Sequence, residues 1–288
     1  MIKGVRDRVW AFDVEWIPDP LAGQLLHEIP DSVRDPKEIM HRMWAQGGAT
    51  EDDPRPFLKT VVCRIVSIAV LERRVQRDSE VTLSLRSLPR NTESAAEIRE
   101  SHVIETFLQA LGERQPQLVG FNSIPSDLKI LVQRGLILGI RAEDFCRRPN
   151  KPWEGIDYFA RGSEWNIDLK DVVGGWGKVV PSLHEIAVQS GIPGKMDVDG
   201  SQVADLWLNG ELRRIVNYNE FDAITTYLVW LRLAHFAGHF STPEYGEEQR
   251  RVQDLLEQKS KSPEGAHLQT YLDEWERLSR IIRSARDD

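Results

Sequence analysis

Three features of the chain predict an α/β fold built on a mixed sheet. Runs rich in Val, Ile, Leu and aromatic residues crowd into the first third, at residues 9–16, 60–72 and 80–88. Beyond them, short apolar runs alternate with apolar patterns of helical period. Most connections are short, so strands and helices belong to one packed unit rather than to layers strung on linkers.

Taken in order, residues 9–16 (VWAFDVEW) form a β-rich apolar run broken by two acids, read as a central, buried first strand. Residues 17–59 are rich in Pro, Asp and Gly. They read as a long insertion between the first two strands, functional or mobile, with one short helix near 36–45. Residues 60–72 are the second strand; 80–88 alternate like a third, antiparallel one. An amphipathic helix is expected at 93–113, a fourth strand at 117–121 and a helix at 126–138. A loop-rich stretch at 141–164 precedes a fifth strand at 165–169. Helices follow at 181–190, 201–209 and 211–239. Residues 1–240 thus form one five-stranded domain. Residues 241–288 carry two charged helical patterns, 244–260 and 265–286, read as an appended C-terminal helical arm or packing helix, with a protein partner or a second copy as what an arm would dock.

Composition narrows the class. With 41% hydrophobic and 28% charged residues the chain is an ordinary globular protein, not a disordered or fibrous one. A net charge of −8 argues against a protein that holds nucleic acid mainly by a basic surface. It leaves room for one that recruits cations to the phosphate. The two cysteines, Cys63 and Cys146, are far apart, which argues against a disulfide framework or zinc ribbon and suits a reducing cytosol. No signal peptide and no membrane span are read, so a cytoplasmic location is expected.

The chemistry lies in carboxylates. Asp13 and Glu15 stand at i and i+2 on the first strand, so both point to one face of a buried strand, where charges need partners or metals. Tyr218 and Asp222 stand at i and i+4 on the long late helix, one turn apart on one face. Asp127 follows Gly120, Phe121 and Asn122 and opens a helix, where an acid is also a favoured first-turn residue. Each has a plain alternative: a solvated strand end, a structural tyrosine, a helix-start acid. The order of the three segments carries more than any one of them.

In that order FDVEW, GFNSIPSDLKIL and YNEFDAITTY resemble the three exonuclease motifs of the DEDD superfamily in its tyrosine-bearing branch. The closer likeness is to predicted 3′-5′ exonucleases related to the proofreading domain of family-B DNA polymerases, through IDLKDVV and SLHEIAVQSGIPGKMDVDGSQV, over roughly residues 8–236. The resemblance implies a ribonuclease-H-like fold, two divalent cations (Mg²⁺ or Mn²⁺) and hydrolysis from 3′ ends. It makes Asp13, Glu15, Asp127 and Asp222 the metal ligands and Tyr218 the residue that orients water. One departure stands out: Ser126 occupies the place of the aromatic that usually precedes the second-motif Asp. The tyrosine branch fits because Asn217 lies near where the sister branch would have its histidine.

Phosphodiester hydrolysis gathers negative charge on attacking and leaving oxygens, which two cations stabilise, and Mg²⁺ and Mn²⁺ favour oxygen ligands. Tyr218, with an ordinary pKa near 10, suits positioning better than proton abstraction. For substrate, Asn122 contacts the terminal sugar or fixes its turn. Lys195 reaches a phosphate or is solvated. Trp16, Trp44, Trp153 and Trp176 stack on bases or pack in the core. Asp199 and Ser201 are expected to cap the next helix, and Asp168 and Asp171 to be structural. The GK of residues 174–178 lacks a P-loop's other residues, and residues 197–200 are too short for a calcium loop. His235 and His239 share a helix face without a third ligand and read as packing residues. Arg147, Arg148, Arg213 and Arg214 read as solvated basic pairs, with strand guidance as the other use. The expected substrate is the 3′ end of single-stranded nucleic acid, DNA on family analogy alone. The rival readings are an RNA-trimming enzyme and a non-catalytic subunit that binds nucleic-acid ends.

Overall fold

A computed structural model describes residues 2–151, 153–175, 179–196 and 200–287. Its mixed sheet comprises β1 (Arg8–Pro18), β2 (Cys63–Val75), β3 (Val81–Leu88), β4 (Gln117–Gly120) and β5 (Asn166–Asp168), in the order β3-β2-β1-β4-β5. The β1–β2 and β2–β3 pairs are antiparallel; β1–β4 and β4–β5 are parallel. β1 is therefore central, as its apolar run predicts, and it sits where the sheet changes from antiparallel to parallel. At such a point the carboxyl ends of the parallel strands open a crevice.

Alternation along β1 sorts the core into two layers. Trp10, Phe12 and Val14 face one side, packing with Ile104, Phe107, Leu128 and Leu131 of α3 (Glu100–Arg114) and α4 (Asp127–Ile137). Val9 and Ala11 face the other, against Ile224, Tyr227 and Leu228 of α9 (Leu212–Phe236). Asp13 and Glu15 continue this second row, so the period-two rule carries two acids toward α9. The register of β1 on β2 shifts between Glu15 and Trp16, a bulge just past the second acid.

Several boundaries differ from expectation. The helix expected from residue 93 begins at Glu100. Before it, Asn91 and Ser94 side chains accept from the backbone N–H groups of Glu93 and Glu97, competing with helical bonding. The insertion holds α1 (Pro20–Leu26) besides the expected α2 (Pro36–Gln46). Asp19 caps α1 and Pro20 opens it, a start signal that was present in the sequence. Short helices α5 (Glu143–Cys146) and α6 (Leu169–Gly174) interrupt the segments flanking β5. α7 (Leu183–Gln189) begins with a Ser182–Glu185 capping box, and α8 (Val203–Leu208) precedes α9.

The C-terminal helices α10 (Thr242–Ser260) and α11 (His267–Asp287) pack on the main core. Val252, Leu256, Leu268, Tyr271 and Trp275 are buried in the same cluster as α9 and β1 residues. Glu248 of α10 is buried, accepting from Arg73 of β2 (2.8 and 3.0 Å) and from the Tyr227 hydroxyl (3.1 Å). Among the described residues no helix is long and apolar enough to cross a membrane.

Candidate metal centre and catalytic cleft

Asp13, Glu15 and Asp222 each offer a carboxylate oxygen, and these oxygens lie within 4.8 Å of one another. β1 supplies the first two and α9 the third. Residues 206 or more positions apart in the chain meet because α9 crosses the second face of β1. Asn219, one helical turn before Asp222, donates from Nδ2 to Asp13 Oδ2 (2.8 Å), while Ser67 of β2 donates to Asn219 Oδ1 (3.3 Å). This fully buried amide orients Asp13. It went unnoticed in the sequence, although it lies inside the YNEFD run on the same helix.

Asp127 arrives by a different route. A tight turn links β4 to α4, with Asn122 at a φ of 64°. At Gly120 a Cβ would lie 2.4 Å from that of Ser123, so the turn needs glycine there. Asp168 at the end of β5 clamps the turn, accepting from the backbone N–H of Asn122 (2.8 Å) and Ile124 (3.0 Å). Asp127 then accepts from the Val14 N–H (3.1 Å), between Asp13 and Glu15, and is buried beside the trio without being one of the three clustered ligands.

Electrostatics at the cluster are adverse. Burial raises Asp13, Glu15 and Asp127 well above the ordinary carboxylate range; the charges of Glu15, Asp127 and Asp222 add to the rise at Asp13, and those of Asp222 and Asp127 at Glu15. Asp222 is pushed up to about 6, again by burial, despite a hydrogen bond from Tyr218 and the positive charge of Lys195. Tyr218 is raised above its ordinary value by burial and by the surrounding acids, so its phenol stays protonated and can only donate or position. Acids gathered this closely destabilise the fold unless a cation neutralises them. An all-oxygen donor set suits a hard divalent ion such as Mg²⁺ or Mn²⁺.

The acids line a cleft of about 510 Å³. Its walls include Trp16, Phe121 and Asn122, with Trp44, Arg55 and Phe57 from the 17–59 insertion. Phe57 is 92% exposed, a stacking surface that the sequence did not single out. Trp44 is buried against Met40 and Val203, so its role is packing. Both ends of the Asn122 amide are engaged, donating to Ser126 Oγ (2.7 Å) and accepting from Lys170 Nζ (3.1 Å), which makes it a turn residue. Trp153 is exposed and is not one of the lining residues. Trp176 and Asp199 lie outside the described residues, as do parts of the GK and 197–200 segments. Ser201 sits in a 3₁₀ turn (Gly200–Gln202) lining the cleft, and the N-cap position of α8 falls to Gln202, whose side chain makes no capping hydrogen bond. His235 bonds the Phe240 carbonyl and stacks on Tyr245, a packing role.

A family described as predicted 3′-5′ exonuclease related to the exonuclease domain of PolB matches residues 55–275. The chain belongs to this family. Its five-stranded mixed sheet with flanking helices is consistent with the ribonuclease-H-like exonuclease fold. The family match includes Asp127, Tyr218 and Asp222 and extends into α11, whereas Asp13 and Glu15 precede it and join the cluster through β1. No curated protein matches the chain.

Proposed function

We propose that this protein is a metal-dependent 3′→5′ exonuclease acting on single-stranded ends, DNA in preference to RNA. One observation carries the reading: three carboxylate oxygens within 4.8 Å of one another on the floor of an aromatic-walled cleft. Asp13, Glu15 and Asp222 would hold one cation, and Asp127, with Asp13 shared, a second. Two divalent cations, when bound, supply the charge that acidifies water and stabilises the departing 3′ oxygen.

The chain's own groups do the rest. Tyr218, kept protonated, orients the attacking water by hydrogen bonding. Asn219 fixes the Asp13 carboxylate, and the Val14 N–H fixes that of Asp127. Trp16 and Phe57 present aromatic surface for the terminal bases, an interaction worth ~1–3 kcal/mol per base. Lys195, whose charge is felt at Asp222, lies within electrostatic reach of a phosphate there. DNA preference rests on the family's relation to a DNA polymerase domain.

The test is a strand labelled at its 5′ end, incubated with Mg²⁺ or Mn²⁺ beside Asp13→Ala, with DNA and RNA in parallel. A ladder of stepwise shortening that disappears in EDTA and in the variant supports the proposal. Internal cuts, or a variant as active as the parent, overturn it.

A further inference from the structure

We infer that the strand leading to the scissile bond leaves the cleft across α9 and rests its phosphates in a separate basic groove formed by Arg86, Arg90, Arg213 and Lys259. This path rests on the exonuclease reading above and supplies what that reading lacks, a grip on the body of the strand.

Three adjoining depressions define it. The catalytic cleft ends at Tyr218 and Asp222. Tyr218 also lines a second pocket, with Asn217, Phe221, Arg214 and His267. A third, of about 350 Å³, is lined by the four cations and by Glu220 and Glu264. His267 Nε2 is 2.8 Å from Glu220, so the second and third depressions share a wall. At 3.6 residues per turn, positions 220 and 213, then 217, then 221 and 214, then 218 and finally 222 follow one another around about half of the helix. A strand laid over this arc passes from basic groove to metal cluster without leaving the surface of α9.

Charge selects the occupant. The chain carries −8 overall, yet four cations share one groove, and among the described residues none of the four forms an ion pair with an acid. Most other arginines of the described residues are spent on carboxylates: Arg147 on Glu143 and Asp144, Arg148 on Asp157, and Arg214 on Glu211. The Glu220 carboxylate is occupied by the Ser87 hydroxyl (2.6 Å) and His267, which blunts its repulsion of a phosphate. Between groove and cleft, Asn217 Oδ1 and His267 Nδ1 are buried and have no hydrogen-bond partner. They are polar groups fit to meet a sugar or base edge. A polyanion with hydrogen-bonding sugars and bases matches both features. α11, which contributes His267, thereby joins substrate handling.

The experiment uses the full chain, with Arg90→Ala/Arg213→Ala, Asn217→Ala, and Arg141→Ala as a control for lost surface charge. Anisotropy of a fluorescein-labelled oligothymidylate in EDTA, across a salt series, reads binding without hydrolysis. Each phosphate contact on a single strand contributes ~0.7 to the slope of log K against log salt, about fivefold at 0.1 M. The double variant should therefore bind about 25-fold more weakly, with a slope shallower by about 1.4. Asn217→Ala should lose roughly fivefold with an unchanged slope, as for one hydrogen bond. Turnover of the p-nitrophenyl ester of thymidine 5′-phosphate, too small to reach the groove, should match the parent's in the double variant. Double-variant binding within twofold of the parent, an equal loss in Arg141→Ala, or a parent that does not bind the strand at 0.1 M salt would overturn the groove. A parent that binds with these slopes yet turns over no substrate in Mg²⁺ or Mn²⁺ would leave the groove standing and remove the exonuclease reading instead.

Discussion

Asp222→Asn should make the metal-free protein more stable while abolishing its response to metal. The substitution keeps size and a hydrogen-bond acceptor for Tyr218 but removes one charge from a trio whose oxygens lie within 4.8 Å. Asp222 is raised from 3.8 to about 6, mainly by burial. At 1.36 kcal/mol per pH unit, that rise corresponds to a penalty on the order of 2–3 kcal/mol whenever the carboxylate is ionised. The sign follows from proton binding. Between pH 3.8 and about 6 the folded state holds the proton more tightly than the unfolded chain, so stability falls as pH rises through that window. Below it the substitution should change little; above it the full gain appears. For a chain of this size each kcal/mol moves the midpoint by about 2–4 °C. Calorimetric melts in EDTA at pH 8 should thus place the variant about 4–12 °C above the parent. In Mg²⁺ the parent should gain stability by mass action and the variant little. A variant melting at or below the parent in EDTA at pH 8 would refute the view that these buried acids destabilise the fold until a cation arrives.

Tyr218→Phe should slow turnover by about tenfold or more while Mg²⁺ affinity by titration calorimetry stays within twofold; a collapse of metal affinity would contradict the positioning role. Asn219→Ala removes the donor to Asp13 and should weaken metal binding by about 10–100-fold, as loss of a ligand-orienting group does, and an unchanged affinity would refute its role. Arg134 pairs in the interior with Glu100 (2.6 and 2.7 Å) and Asp19 (2.9 Å), tying α4 to α3 and to the start of the insertion. Arg134→Ala should cost about 3–5 kcal/mol in urea unfolding, because it strands two buried acids, and a cost below 1 kcal/mol would show that the triad is not a structural tie.

Local patterns made most of the frame legible. The apolar run of β1 announced a central strand, and its period of two placed Asp13 and Glu15 on one face. The spacing of Tyr218 and Asp222 aligned both on α9. What escaped depends on contacts between distant segments. Nothing in residues 166–168 says that Asp168 will accept the N–H groups of Asn122 and Ile124, because that bond exists only once β5 lies beside β4. Phe57 stands in a Pro-rich stretch without periodicity, and only packing of the insertion brings it to the cleft. The apolar stripe of α11, at Leu268, Tyr271 and Trp275, reads equally well as an arm awaiting a partner or as a core helix. Its covering by α9 and α10 is a tertiary fact. α1 is the opposite case: Asp19 and Pro20 signalled it, but its seven residues are too few to show a period.

Diffraction from crystals soaked in manganese chloride, recorded at a wavelength where manganese scatters anomalously, tests the account most directly. Anomalous peaks are expected among the carboxylates of Asp13, Glu15 and Asp222, with a second peak toward Asp127. A cluster with no peak, its carboxylates turned apart or bonded to neighbouring side chains instead, would contradict the account.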